Sequence, residues 1–310
     1  MKTIIFQEKS AGSALTRQKT IDQSNFPFTL NTTIGCHFGC LYCYLQGFPF
    51  VRHTEFGKEV KVKMWLPKKL DLELEKYRDL PQYLKRVQVN AATEGYIPNV
   101  MTMLKNRYNR DIMKEVLKVF KKHWDNGNFW MVHLVTKSHM ILKHLDILTE
   151  MCNQVQVELT ITTLSEARRK LLEGSAPSVK KRLEVIRRLS GAGIFMRVMC
   201  MPFIGSRDEA VKLRSACFDC GARAFKHKSM NYWNEEALLL GNLEKNKGKI
   251  NFSYTDLLTK SGEQVIENGR AKMKTVNMPT KKWDNWEFKS MMFENSGYVE
   301  MNGIDWGYVA

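Results

Sequence analysis

Three cysteines within eight residues, Cys36-His-Phe-Gly-Cys40-Leu-Tyr-Cys43, constrain this chain more than any other stretch. The C-x3-C-x2-C spacing can bring three thiolates to one small centre, and thiolates are the usual ligands of iron–sulfur clusters. A cluster held wholly by protein takes four of them, so a compact set of three predicts one iron without a protein ligand. Structural zinc is the principal rival: it takes four ligands, commonly as two pairs, and His37 and the distant Cys217-Phe-Asp-Cys220 are available for it. The near spacing suits a zinc ribbon poorly. Three unrelated buried cysteines form another reading, against which stands the Gly-punctuated loop, an unusual place for buried thiols. Seven cysteines, an odd number, and no charged-then-apolar leader at the N-terminus predict a reducing cytoplasm rather than a disulfide framework. No apolar run approaches the roughly 20 residues that cross a bilayer, so no membrane partner is expected.

From Arg86 onward the chain is rhythmic. Strand patterns at 86–92, 130–136, 154–162, 194–201 and 222–228 alternate with helical patterns near 109–123, 139–151, 178–190 and 207–219. Such alternation predicts a parallel sheet wound by βα units. With the apolar run at 28–34 as a further strand, the expectation is an α/β fold, a partial (β/α)6 barrel rather than a closed barrel of eight. Residues 58–65 read as a short strand, and Leu70, Leu74, Tyr77, Leu80 and Leu84 stand at helical spacing. The expected organisation is an N-terminal arm over 1–27, the barrel over 28–230 and a C-terminal cap over 231–310.

Strand phase predicts where a ligand sits. In Val155-Gln-Val-Glu-Leu-Thr-Ile-Thr162 the odd positions are apolar, while Gln156, Glu158, Thr160 and Thr162 share the other face. Central parallel strands are normally apolar on both faces, so a polar face implies a wet, ligand-holding lumen. The same phase turns Gln88, Asn90, His133, Lys137 and Arg197 inward. In Ser178–Leu189 the stripe Val179, Leu183, Ile186 and Leu189 faces the sheet and leaves Lys180, Lys181, Arg187 and Arg188 on the surface.

The formal net charge is +16. Acidic and basic residues nearly cancel from Ser229 onward, so the excess lies in the first 228 residues. A field of that sign attracts polyanions, nucleic acid first; a solvated helix surface accounts for it equally well. Lys137, Arg197, Lys226, His227 and Lys228 lie in or at the ends of strands, where α/β barrels build their sites. The C-terminal stretch interleaves charge and indole, as in Lys281-Lys-Trp283-Asp-Asn-Trp286, a pattern that stacks bases and also serves a packed cap.

The segments Cys40-Leu-Tyr-Cys-Tyr-Leu-Gln46, Asn90-Ala-Ala-Thr-Glu94, Leu134-Val-Thr-Lys-Ser138, Thr160-Ile-Thr162 and Glu173-Gly-Ser-Ala-Pro177 together resemble the spore photoproduct lyase-like branch of the radical S-adenosylmethionine (SAM) proteins, from about Phe28 to Phe225. The resemblance implies a [4Fe–4S] cluster on Cys36, Cys40 and Cys43 that passes an electron to SAM and releases a 5′-deoxyadenosyl radical. It places Thr93, Glu94, Lys137, Thr160 and Thr162 toward SAM. Tyr42 and Tyr44 match the two relay tyrosines of the photoproduct lyases, but Ala91 stands where those enzymes carry the cysteine that returns a hydrogen atom. Arg197 and Cys200 are the remaining catalytic candidates, although Cys200 has the helix-facing phase of Met196 and Val198. Cys217 and Cys220 are a candidate redox or metal pair.

The expected function is reductive cleavage of SAM and hydrogen abstraction from a substrate, with nucleic acid or a nucleotide favoured by charge. An external electron donor of the flavodoxin or ferredoxin type is implied. A peptide or small metabolite is the alternative substrate, and a non-catalytic, zinc-stabilised nucleic-acid binding protein is the alternative of another class.

Overall fold

The computed structural model describes residues 2–10, 12–18, 26–40, 43, 57–203 and 207–229, with two further short strands at Ile266–Glu267 and Arg270–Ala271. In chain order the strands are β1 (Thr3–Gln7), β2 (Thr16–Arg17), β3 (Phe28–Leu30), β4 (Thr33–Ile34), β5 (Glu59–Lys63), β6 (Arg86–Val89), β7 (Met131–Thr136), β8 (Val155–Thr160), β9 (Phe195–Phe203) and β10 (Ala224–Ser229). The helices are α1 (Leu66–Lys76), α2 (Pro98–Tyr108), α3 (Ile112–Asp125), α4 (Leu145–Glu150), α5 (Glu166–Leu172), α6 (Val179–Gly191) and α7 (Arg207–Asp219).

The main sheet has seven strands in the order β10-β9-β8-β7-β6-β3-β2. From β3 to β10 every pairing is parallel, and β2 closes one edge antiparallel. Helices cross between successive parallel strands, the winding that the alternating pattern predicts. The fold is thus α/β with the parallel sheet of a partial barrel. A smaller sheet joins β1 parallel and β4 antiparallel to the two sides of β5.

Boundaries follow local chemistry. The apolar run at 28–34 is expected as one strand but splits between the two sheets, because the Asn90 side chain accepts hydrogen bonds from Thr32 N and Thr32 Oγ1 at 3.0 and 2.9 Å and turns the chain there. The helix expected at 109–123 begins at Ile112 instead: Asn109 is left-handed, with φ 50°, and Asp111 caps α3 by accepting from Lys114 N at 3.0 Å. The helical spacing read over 70–84 becomes α1 and a 3-10 turn at Gln82–Leu84, separated by Pro81, which disfavours helix in the residue before it.

Registers confirm the strand phase. Gln88, His133 and Gln156 are side-by-side partners, as are Val135, Glu158 and Arg197 one step further along. The opposite face carries Val87, Val89, Val132, Leu134, Val157, Leu159, Val198 and Cys200 into the main core beneath the helices. At this depth the polar face is closed rather than wet, with Gln156 and His133 0 % exposed. His133 Nε2 lies 2.9 Å from Glu158 Oε2, and Phe26 stacks on the imidazole. Asn90, expected in the lumen, turns the other way through its positive φ of 62° and reaches Met113 of α3.

Candidate active site

The cysteine loop follows β4 at the carboxyl end of the sheet, where its neighbours hold it from several sides. Gly35 has φ +84°, and a Cβ there would stand 2.3 Å from Glu59 O, so only glycine lets the loop leave β4 beside β5. Its carbonyl accepts from Thr93 Oγ1 at 2.7 Å. His37 is buried, with Nε2 at 3.2 Å from Thr3 O and 3.1 Å from Lys58 O. Two carbonyls require that nitrogen to carry the proton, leaving Nδ1 to accept from Asn99 Nδ2 at 3.1 Å. His37 therefore pins the loop to β1 and β5 with both ring nitrogens committed. On the far side Ser175 N donates to Phe38 O at 3.0 Å, and a Cβ on Gly174 would meet the same oxygen at 2.4 Å. Lys2 Nζ ties the two segments together, donating to His37 O and Ser175 Oγ.

The three thiols share one electrostatic neighbourhood. Burial pushes Cys36 well above the usual thiol range, and Cys40, Glu94 and Cys43 add to it while Phe38 N–H opposes. Cys40 is pushed up to about 12, first by burial and then by Glu173 and Cys43, with Lys137 and Arg182 pulling the other way. Burial alone would lower Lys137, yet Cys40, Glu173 and Cys43 outweigh it and hold the ammonium above its ordinary value. Cys40 is buried and Cys36 and Cys43 are half-buried; three thiols in mutual repulsion cannot all ionise unaided, and cationic iron would supply the missing compensation. The Phe38 N–H to Cys36 Sγ contact at 3.4 Å is a donor suited to a thiolate. The donor set thus fits a thiolate-ligated cluster. Among the described residues no three His, Cys, Asp or Glu side chains close on a single metal ion. That holds for the three loop cysteines as for any zinc set, and Cys217 and Cys220 pack in the main core.

Around the loop the strand ends carry a second layer. Glu94 is 3 % exposed; its Oε1 accepts from Tyr96 N and Thr136 Oγ1 and its Oε2 from Lys137 N. Burial raises its carboxyl despite those donors. Thr93 contacts Gly35 and Thr33, and Thr160 lies at the end of β8, its carbonyl accepting from Arg182 Nη1 at 3.0 Å. Thr162 Oγ1 donates to Glu173 Oε1 at 2.9 Å, while Glu173 Oε2 pairs with Arg182 Nη2, both partners 0 % exposed. Lys137 lies in the field of Cys40, Cys43 and Glu173, a cation of the kind that pairs with carboxylates. Thr93, Glu94, Lys137, Thr160 and Thr162 are all brought to this end of the sheet.

Sequence reasoning missed Arg182 and the role of Glu173. Arg182 sits on the same stripe as Val179, Ile186 and Leu189 of α6, where Leu183 was expected to share the burial. An arginine at an i+3 step on an apolar stripe, with a glutamate shortly upstream, was the available signal.

Other candidates lie apart. Arg197 is on the polar face in register with Glu158, deeper in the sheet. Cys200 is fully buried on the helix-facing side and is not brought to the loop. Ala91 follows Asn90 at the end of β6. Tyr42 and Tyr44 lie outside the described residues, as do the side chains of Lys226, His227 and Lys228 and nearly all of 231–310. No described helix is long and apolar enough to cross a membrane.

Comparison with known proteins locates this architecture. The family model of the radical SAM superfamily matches residues 30–213. An uncharacterized protein of Acidianus two-tailed virus is 26% identical over 180 residues, 56% of this chain and 55% of that protein. An uncharacterized protein of Methanocaldococcus jannaschii is 24% identical over 191 residues, 60% of this chain and 65% of that protein. The chain therefore matches less than two thirds of the length of either relative. Among solved structures, a spore photoproduct lyase double mutant with bound AdoMet and dinucleoside spore photoproduct superposes with a TM-score of 0.59 at 14% identity, covering 96% of this chain and 78% of that one. The lyase complexed with the dinucleoside photoproduct gives 0.55 at 14% identity, over 72% and 60%. At such identities the likeness shows the fold alone.

Proposed function

The chain belongs to the radical SAM superfamily, and from that premise we propose that it is an enzyme that cleaves SAM reductively and abstracts a hydrogen atom from a bound substrate. The observation that carries this is that Cys36, Cys40 and Cys43 act on one another electrostatically, and Cys40 and Cys43 on Lys137, beyond the ends of the parallel strands. A [4Fe–4S] cluster and SAM, when bound, supply one-electron cleavage of the sulfonium and a carbon radical able to take hydrogen.

The protein's own residues hold and orient. Cys36, Cys40 and Cys43 would ligate three irons, leaving the fourth to the amino and carboxylate groups of SAM. Lys137 would pair with that carboxylate. Glu94 fixes the backbone of Tyr96 and Lys137, and so sets where the lysine side chain begins. Thr93 fixes Gly35 at the loop's entry. Thr162, whose hydroxyl donates to Glu173, and Thr160, whose carbonyl accepts from Arg182, are assigned to the ribose side of SAM.

The substrate we assign is a nucleic acid or nucleotide. Its support is the basic excess over the first 228 residues. Photoproduct repair by the lyases' own route lacks its thiol, because Ala91 occupies the position of the donor; Tyr42, Tyr44, Arg197 and Cys200 remain candidates for passing the hydrogen. The four cysteines outside the loop, Cys152, Cys200, Cys217 and Cys220, are free of disulfides, which suits a cytoplasmic setting. Anaerobic reconstitution with iron and sulfide, followed by assay of 5′-deoxyadenosine after addition of SAM and dithionite, tests the reaction type. Deoxyadenosine from the intact chain and none from Cys36→Ala is the expected outcome; none from either defeats the proposal.

A further inference from the structure

A groove of about 1070 Å³ runs over the outer surface between the 3-10 turn at His139–His144, α5 and α6. Its floor is apolar, made by Leu142, Leu164, Val179 and Leu183, and Lys170, Lys180 and Lys181 stand on its walls. Those three lysines are exposed and, among the described residues, have no ion-pair partner within salt-bridge distance. The acidic residues of the groove are already engaged. Glu166 accepts from Arg169 Nε at 2.7 Å and from Val179 N at 3.1 Å, and Glu184 accepts from Arg187 at 2.8 Å. The groove's free charge is therefore positive, and His139 at its edge is held below the ordinary imidazole range by burial and then by Lys181 and Lys143.

This groove adjoins the cysteine loop through one buried side chain. Arg169 reaches from Glu166 in the groove wall to Gly174 O at 3.4 Å and Ala176 O at 2.7 Å, and the next link is Ser175 N to Phe38 O inside the loop. An apolar floor with a cationic rim is the anatomy of a protein interface. A polyphosphate would cover the rim and leave the leucines facing its backbone, which makes nucleic acid the poorer fit here.

We propose that this groove docks the acidic face of a small one-electron carrier protein that reduces the cluster, an inference that rests on the function proposed above. The transfer moves one electron from the reduced carrier, which is oxidised by one unit, to the cluster; no atom or proton needs to cross the interface.

The test compares the full-length chain with Lys170→Glu/Lys180→Glu/Lys181→Glu, using a flavodoxin as the acidic carrier. Calorimetric binding to the unreconstituted chain reads docking without turnover. Reconstituted protein then reports SAM cleavage driven by flavodoxin or by dithionite, which needs no docking surface. The variant is expected to bind flavodoxin at least about tenfold more weakly, with the wild-type affinity falling as salt rises. Flavodoxin-driven cleavage should drop in parallel, while dithionite-driven cleavage stays within about twofold, the margin expected when rim charges alone are changed. Equal flavodoxin binding by both proteins overturns the assignment, as does a variant that loses DNA binding but keeps the carrier. Absence of dithionite-driven cleavage in the wild type, with docking intact, would instead defeat the proposed reaction and leave the surface standing.

Discussion

Two groups of three cysteines occupy this molecule, and each contains a C-x2-C pair. Cys36, Cys40 and Cys43 lie on a glycine-bearing loop among Lys137, Glu94 and the Glu173–Arg182 pair. Cys200, Cys217 and Cys220 lie between β9 and the end of α7, packed with Val198, Ala210 and Leu213 in the main core. At the end of α7 the i, i+3 step puts both thiols into the main core, whereas on the loop the same step leaves Cys40 and Cys43 in the field of Lys137. Burial also holds Cys200 and Cys217 well above the thiol range, with the nearby thiol of the pair adding to it. Spacing alone therefore does not announce a metal site; the backbone that carries the spacing decides.

Substitutions in the two groups should separate sharply. Cys36→Ala is expected to remove the cluster and lower deoxyadenosine formation by more than about 10³-fold, as losing an essential group does, whereas Cys217→Ala should keep its iron and sulfide and most of its activity. Equal iron loss in both variants would erase the distinction. Next in size is the buried pair beside Cys40. Glu173→Gln leaves Arg182 as an uncompensated buried charge and should cost about 3–5 kcal/mol in denaturant unfolding, most of it regained by Glu173→Leu with Arg182→Met. Unchanged stability in the single variant would mean that the pair is dispensable to the loop's setting.

Lys137→Met should retain the cluster but weaken SAM binding by about 10- to 100-fold, the worth of a charge-assisted hydrogen bond; affinity equal to wild type would take the lysine out of the SAM site. The smallest effect belongs to the core group. Cys217→Ala should cost about 1 kcal/mol, since a small apolar group is deleted from a packed site. Its pH dependence carries a sign. Burial raises the folded-state pKa of Cys217 above the ordinary thiol value of 9.0, so its contribution is fully present below pH 9 and is lost as pH rises above that. Alkaline unfolding curves of the apoprotein should therefore be shallower in Cys217→Ala than in wild type.

The main sheet was legible because alternation survives in single strands: β8 alone gave the polar face, and its registers with β7 and β9 bear that out. The cysteine loop was legible as a group of thiols because three of them fall within eight residues. Parts that depend on distant contacts were not. Asn90, at positive φ, turns its side chain to Thr32, 58 positions earlier, which strand phase cannot foresee. The cluster loop's clamp by β1 and His37 joins segments whose local patterns are weak, and His37 reads equally well as a ligand until its ring is seen shared among Thr3, Lys58 and Asn99. Helices α2 and α5 are short and bury few side chains, so neither produced a clear stripe. Arg182 escaped because arginine is almost never fully buried without a partner, and its partner is recognised only once α6 folds back against the turn after α5.

In the proposed site three protein thiolates leave one iron for SAM. Electron paramagnetic resonance of the reduced, reconstituted protein before and after SAM addition tests it most directly, with iron and sulfide measured on the same sample. A [4Fe–4S]⁺ signal whose g values move when SAM is added is the predicted result. A cluster signal indifferent to SAM, or a protein that takes up one zinc in place of iron and sulfide, would contradict the account.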